Sequence, residues 1–557
     1  MLPPPPLFIL PPELLEAISK YYLCVDDLKN FRASCGRIKD ASAAVFFSFL
    51  VVDVVNRGYG TTIEMLQALA SGHPAAMYVR HLKILSLSDQ CTVYAKEYTD
   101  FDLKPRQECL TRISSSETAM FKQALQTALP LAMAGLSSLN SLTIYTCGQD
   151  PRWAINILIN FAVTHTRLEK FSHFTSAEQA DLRPFITHGV TNLRKLSLSY
   201  WIDRRSPLVL ILVQIIGRNP ALSCLELDNG ANDKSNESFN MLLSGIPDDV
   251  SLPLSRLVLG SFDVTIDDRL MEHFCSLTEL RLGEATSFVV NDRKHIPDIW
   301  TALHANSIYL KSISIPSSHV SFQLMEYLDS YCGLEELELQ HFSRPIQNHT
   351  ASQYEIELAE ELFSSVVPKH ASSLKTLMIF SHLERPWQFS VARSAAFAQC
   401  TSLIKLGVCM ERGASERRTR REMSYYAGVE YTVPIPGPPM NTHNVVRDME
   451  SLVRMAETLP SLEGLWISME AITAASMGLD DSHPEEHEYI DNFPDHYAAL
   501  HYGLNMVTPE QRERPLKIFV GAQVFVAQDG AWIRKSNGPS RGRDVSYSES
   551  AAISWGF

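Results

Sequence analysis

The chain has no paired cysteines, no glycine-rich phosphate cradle and no apolar run long enough to cross a bilayer. Its ten cysteines, Cys24, Cys35, Cys91, Cys109, Cys147, Cys224, Cys275, Cys332, Cys400 and Cys409, stand singly and never as Cys-x-x-Cys. That excludes a zinc ribbon and a disulfide framework, and it fits reduced core thiols in a cytoplasmic or nuclear protein. A Gly-x-Ser-x-Gly elbow and a dinucleotide fingerprint are also missing, so an enzymatic activity has no residues to rest on and no cofactor is expected. Positive charge is scarce. Lysine and arginine number 49 against 63 acidic residues, a net charge of -14, which argues against a nucleic-acid partner. Met1–Pro12 is apolar, but it lacks a basic start and six prolines cut it, so it does not read as a secretory signal. Ala43–Val55 and Pro207–Ile216 fall short of a membrane span, and no membrane partner is expected.

What the chain does have is leucine in a recurring grammar: a leucine, two free positions, a leucine, one free position and a leucine. Cys332-Gly333-Leu334-Glu335-Glu336-Leu337-Glu338-Leu339 shows it plainly. Copies read Leu82/Leu85/Leu87, Leu139/Leu142/Ile144, Leu193/Leu196/Leu198, Leu222/Leu225/Leu227, Leu254/Leu257/Leu259 and Leu277/Leu280/Leu282. Further copies are Leu310/Ile313/Ile315, Leu334/Leu337/Leu339, Leu374/Leu377/Ile379, Leu403/Leu406/Val408 and Leu462/Leu465/Ile467. A weaker copy is Leu168/Phe171/His173, and Leu516–Val520 is a degraded last one. From Leu193 to Leu403, 210 residues hold seven intervals, a mean of 30. The closing alternation suits a short strand with one buried face. Between copies lie apolar residues at helical spacing: Pro207–Ile216, Phe239–Leu243, Ile299–Leu303, Phe322–Leu328, Ile356–Val366 and Val446–Ala456.

Strand followed by helix about every 30 residues resembles the leucine-rich-repeat family. The resemblance implies an α/β solenoid, a horseshoe with a parallel sheet inside and helices outside, in which each repeat stacks on its neighbours because none can bury its own leucines. The family signature continues with Asn or Cys three residues after the last anchor. Only Cys147 fits that place, so the family's regular asparagine ladder is missing.

Ahead of the repeats, Leu10-Pro11-Pro12-Glu13-Leu14-Leu15-Glu16-Ala17-Ile18 reads as an amphipathic helix with prolines at its start. A second helix follows with Asp26 as cap and Leu28 and Phe31 on its apolar side, then a third from about Ile38 through Ala41 and Val45. The segment resembles the F-box motif at Leu10-Pro11, Glu13-Leu14-Leu15, Asp27-Leu28 and Cys35 with Arg37, while Ile38 stands in the region where many members carry tryptophan. That resemblance implies docking on the linker subunit of an SCF (cullin-RING) ubiquitin ligase, and through it on a cullin. Leu10, Pro11, Leu14, Leu15, Ile18, Leu28 and Phe31 would make the apolar contacts, and the repeats would hold an unidentified target protein. The alternative is a repeat scaffold whose N-terminal helices only cap the solenoid. The division is then a small three-helix F-box-like domain over 7–49, a solenoid over 50–536 and a flexible tail over 537–557. Phe49–Val54 alternates as the strand that enters the sheet.

Three stretches break the rhythm: 89–117, 411–444 and 474–495. The second carries the basic string Arg417-Arg418-Thr419-Arg420-Arg421, read as a surface loop in preference to a nuclear-import or anionic-partner patch. The third carries His483-Pro484-Glu485-Glu486-His487, whose spacing can suit zinc, but its acidic surroundings offer no apolar stripe for a rigid helix, and no metal is expected. By the two-residue period, the free positions between anchors point away from the buried leucines and line the concave sheet face. Tyr145, Lys195, Glu226, Asp228, Arg256, Glu279, Arg281, Glu336, Glu338, Met378 and Trp466 form that row, with Trp466 and Tyr145 the strongest candidates for target contact.

Overall fold

The computed structural model describes residues 11, 14–15, 25–34, 36–88, 115–146, 150–175, 184–185, 189–200, 208–229, 237–260, 262–283, 287–289, 299–316, 319–340, 353–380, 386–410, 418–423, 430–435, 442–469, 504, 509, 515–520, 523–528 and 531–535. They belong to two compact units, one built on Met1–Leu277 with Ala285–Lys294, the other on Thr278–Glu284 with His295–Ala551. Each is α/β, with mostly parallel strands.

In the first unit, β1 (Phe49–Asp53), β2 (His81–Ser86), β3 (Ser141–Thr146), β4 (Lys170–Thr175), β5 (Lys195–Tyr200), β6 (Cys224–Asn229) and β8 (Arg256–Leu259) lie side by side in parallel. A separate parallel ribbon in the order β11 (Ser287–Val289), β9 (Phe262–Thr265), β7 (Glu237–Ser238) stands beside them in sequence. In the second unit, β10 (Glu279–Leu282), β12 (Ser312–Pro316), β13 (Glu336–Gln340), β14 (Thr376–Phe380), β15 (Lys405–Met410), β18 (Gly464–Met469) and β19 (Lys517–Val520) repeat the parallel arrangement. There β20 (Gln523–Gln528) and β21 (Ala531–Lys535) extend the sheet antiparallel.

Register follows the leucines. Leu142, Phe171, Leu196, Leu225 and Leu257 fall opposite one another in the first unit, and Leu337, Leu377, Leu406, Leu465 and Ile518 do so in the second. All are buried, as are the leading anchors from Leu139 to Leu462. Each fully buried leucine contributes about 2 kcal/mol of transfer free energy, so stacking is favoured at every joint. The first copy is framed differently from the sequence reading. Leu82 pairs with Leu142 and Ile84 with Ile144, so the anchors are Val79/Leu82/Ile84 and not Leu82/Leu85/Leu87. The degraded copies at Leu168/Phe171/His173 and Lys517–Val520 both form strands in register.

The expected helices are present as Leu208–Gly217, Phe239–Leu243, Ile299–Ala305, Phe322–Asp329, Gln353–Glu361 and Thr442–Thr458. Side chains start two helices of this layer: Asp267 accepts the Leu270 N–H at 2.8 Å at the head of a further helix, Asp268–Phe274, and Ser321 accepts the Leu324 N–H at 3.3 Å at the head of Phe322–Asp329.

Adjacent repeats are fastened by a recurring main-chain joint. At most joints one carbonyl just ahead of the strand accepts two consecutive N–H groups from the next repeat. Arg80 receives Asn140 and Ser141, Glu169 receives Arg194 and Lys195, Lys311 receives Glu335 and Glu336, and Lys375 receives Ile404 and Lys405, all at 2.7–3.0 Å.

Side chains add a second fastening. The Leu193 N–H donates to Asn219 Oδ1 at 2.7 Å, Leu252 to His273 Nδ1 at 3.0 Å, Leu310 to the Tyr327 hydroxyl at 2.8 Å and Leu334 to His370 Nδ1 at 3.2 Å. In each case the acceptor comes from the segment that follows the strand, in or just after its helix. These groups satisfy buried backbone that would otherwise be left unpaired.

Several breaks in the rhythm take definite form. Residues 89–114 lie outside the described residues, but Ser115–Gly135 is one helix, so 115–117 belong to it and not to an insertion. Within 411–444, β16 (Arg418–Met423) and β17 (Glu430–Ile435) pair antiparallel, so the arginine string lies largely on a strand and not in a loop. Residues 442–444 open the helix Thr442–Thr458. The stretch 474–495, with His483–His487, and the tail 537–557 lie outside the described residues, as does Cys147.

Candidate functional site

The free positions of the strands form ordered rows on the sheet face opposite the leucines. In the first unit, Tyr145 on β3 stacks on Phe174 of β4 at 4.7 Å with ring planes 13° apart, and Lys83 Nζ sits 5.3 Å from the Tyr145 centroid. Burial among these rings pulls the Lys83 ammonium down to about 8. Tyr145 is only 4% exposed, a correction to its expected role as an open contact: its ring is spent on packing within the sheet face.

Two strands on, Glu226 is 5% exposed and gathers Lys195 at 3.0 Å and Arg256 at 2.8 Å, with the Ser197 hydroxyl donating to its other oxygen. Burial pushes the Glu226 carboxyl up, but Lys195 and Arg256 together with the hydrogen bonds outweigh it and hold the group below the ordinary glutamate range. Asp228, beside it, accepts from Ser199 at 3.2 Å, and burial leaves its carboxyl raised. Glu226 and Arg256 are thus committed to each other, so neither is the unengaged contact that the strand period suggests.

In the second unit Arg281 is the centre. Its Nε lies 2.7 Å from Glu279, and its terminal nitrogens lie 3.9 Å from both Glu336 and Glu338. Burial lowers the guanidinium's proton affinity, but Glu338, Glu279 and Glu336 more than restore it. Glu338 and Met378 are largely buried, which corrects their expected exposure, whereas Glu336 is half-exposed and also accepts from Ser312 at 3.0 Å.

Trp466 on β18 is half-buried and stacks on Phe519 of β19 at 4.5 Å with the ring planes 2° apart. Its six-membered ring fills the place that a side chain at Gly464 would occupy. Phe519, Phe174 and Lys83 escaped the sequence reading because two of them sit in the degraded copies and the third in the copy read in another frame. Once those frames are set, the same period exposes all three.

At the N-terminus, Leu14 is 50% exposed while Leu15 is fully buried. Leu15 is therefore core and cannot serve as an outward contact, a correction that separates two neighbours read together from sequence. Pro11 is exposed and Phe31 half-buried; Leu10 and Ile18 lie outside the described residues, and Leu28 lies in the helix Val25–Ser34. That helix starts at Val25, ahead of the expected cap Asp26, and the third helix is split into Gly36–Ala41 and Ala43–Phe46. Arg32 holds these pieces together. It donates to the Lys39 carbonyl at 2.7 Å and stands over the rings of Phe46 and Phe47 at 4.5 and 5.0 Å.

Among the described residues no group of three or more His, Cys, Asp or Glu is placed to hold a metal ion, and no helix is long and apolar enough to cross a membrane. No family model matches the sequence, and no curated protein matches it. Among solved structures, the chain is similar to one in the crystal structure of the yeast Rad7 and Elc1 complex, at a TM-score of 0.38 and 14% identity, covering 84% of this chain and 91% of that one. A likeness of that degree decides nothing about fold or function.

Proposed function

We propose that this chain is a leucine-rich-repeat adaptor with no catalytic activity of its own, which recruits a target protein to an SCF ubiquitin ligase. The N-terminal helices dock on the linker subunit, and through it on a cullin, while the open sheet face of the repeats holds the target. Other subunits carry out the transfer, and this chain contributes proximity. The observation that carries the reading is the exposure of Leu14 beside buried Leu15, which leaves an apolar side chain directed outward at the start of the segment that resembles the F-box motif.

The rival scaffold reading, in which this segment only caps the repeats, requires both leucines to be hidden within the chain. Leu14→Asp separates the two. The adaptor reading expects an unchanged thermal melt and loss of linker-subunit capture in pulldown, with Leu15→Asp lowering the melt. Undiminished capture by the Leu14→Asp chain would sink the adaptor reading.

A further inference from the structure

The second unit carries a basic and aromatic triad in which Trp466 is flanked by two lysines that neither the repeat pattern nor the adaptor reading assigns. Lys405, Gly464 and Lys517 stand opposite one another on β15, β18 and β19. Leu406, Leu465 and Ile518, the next residue on each strand, are buried anchors, so the three preceding positions lie on the open face. The outer two are about 10 Å apart, twice the interstrand spacing. The Trp466 ring takes the place of the missing Gly464 side chain, so the row reads lysine, indole, lysine.

Phe519 supports the ring on the β19 side. On the β15 side the residue paired with Trp466 is Gly407, which offers no side chain. Lys405 and Lys517 are exposed and have no ion pair among the described residues. Their counterparts elsewhere behave differently: Lys195 and Arg256 close on Glu226, and Arg281 closes on three glutamates.

We infer that this row is a docking site for an extended acidic segment of a partner protein, with one apolar side chain against Trp466 and a carboxylate on either side for Lys405 and Lys517. In an extended segment, residues two positions before and after the apolar one point the same way and span about 13 Å, within reach of two lysines about 10 Å apart. The recognised pattern is acid, any residue, apolar, any residue, acid. A long polyanion such as nucleic acid is disfavoured, because Glu336 and Glu338 of β13 lie on the same face two strands from Lys405, and the chain carries a net charge of -14. The inference rests on the adaptor reading only in giving the open face to a partner.

The test uses the full chain and a fluorescein-labelled Gly-Glu-Ser-Leu-Ser-Glu-Gly peptide, read by anisotropy. Wild type should bind saturably and more weakly as salt rises. Lys405→Glu/Lys517→Glu, both at exposed positions, should bind about tenfold or more weakly, and a peptide with Gln for both Glu should lose binding to wild type. Absence of wild-type binding, equal binding by the double variant, or stronger binding of single-stranded DNA at the same site would each overturn the assignment. Linker capture by Lys405→Glu/Lys517→Glu should be unchanged, so failure of the peptide assay and failure of the adaptor reading are read separately.

Discussion

His370 Nδ1 accepts the Leu334 N–H at 3.2 Å while its Nε2 lies 3.0 Å from the Leu328 carbonyl. Only the neutral ring protonated at Nε2 satisfies both partners. Burial draws this imidazole below the ordinary histidine value, against the raising effect of the Leu328 bond, and burial lowers His273 and takes His173 to about 3. Each depressed value means that the folded chain resists a proton which the unfolded chain accepts. The contribution is complete above the unfolded value of about 6.5 and declines as pH falls below it. Thermal melts should drop by roughly 5 °C or more between neutral pH and pH ~5.5, and His370→Gln should start lower and show a shallower slope. A flat wild-type profile over that range would contradict the buried neutral rings.

Asn219 is a three-way clamp. It accepts from Leu193 at 2.7 Å and donates to the carbonyls of Val190 at 2.8 Å and Ile215 at 2.7 Å. Asn219→Leu strands all three backbone groups in a buried site, at a cost on the order of 3 kcal/mol. Urea unfolding should show the loss, and an unaltered midpoint would mean the clamp is dispensable.

Glu226 neutralises two cations at once. Glu226→Gln keeps its shape and leaves Lys195 and Arg256 uncompensated, at a cost of about 2 kcal/mol. Since those cations hold the carboxyl below its ordinary value, its contribution is present above the unfolded value of about 4.3 and fades as pH drops through that range. Wild type and variant should therefore differ at neutral pH and converge toward acid, which paired denaturation curves can follow.

Gly464 and Trp466 form a lock of backbone and ring. A methyl at 464 would collide with the indole, so Gly464→Ala should displace the ring, shift tryptophan emission and lower the melting temperature. In a Trp466→Ala background the same substitution should be nearly harmless. Equal effects in both backgrounds would remove the proposed coupling.

Much of this architecture is legible in the leucine spacing, because burial on one face forces a period that a reader can count. The frame at Leu82 was ambiguous for the same reason. Val79-Arg80-His81-Leu82-Lys83-Ile84-Leu85-Ser86-Leu87 satisfies the pattern twice, and only pairing with Leu142 chooses between the two. Asn219, Tyr327 and His370 were invisible because they reach back to their amides from beyond the intervening strand, at separations of 26, 17 and 36 residues that follow no fixed spacing. Tyr145, Glu226 and Arg281 do lie on the sheet face opposite the leucines, but the strand period carries no information on whether the neighbours there would consume a side chain or leave it free.

The two-for-one carbonyl joint uses main chain only. Its acceptors are as unlike as Arg80, Asn140, Glu169, Ser223, Lys311 and Ile404. Each of these residues also donates its own N–H to the preceding joint, so the joint dictates no side chain there and excludes only proline. Side chains at those positions can therefore be exchanged for others that keep the main-chain N–H, and the pairing of neighbouring strands stays in place.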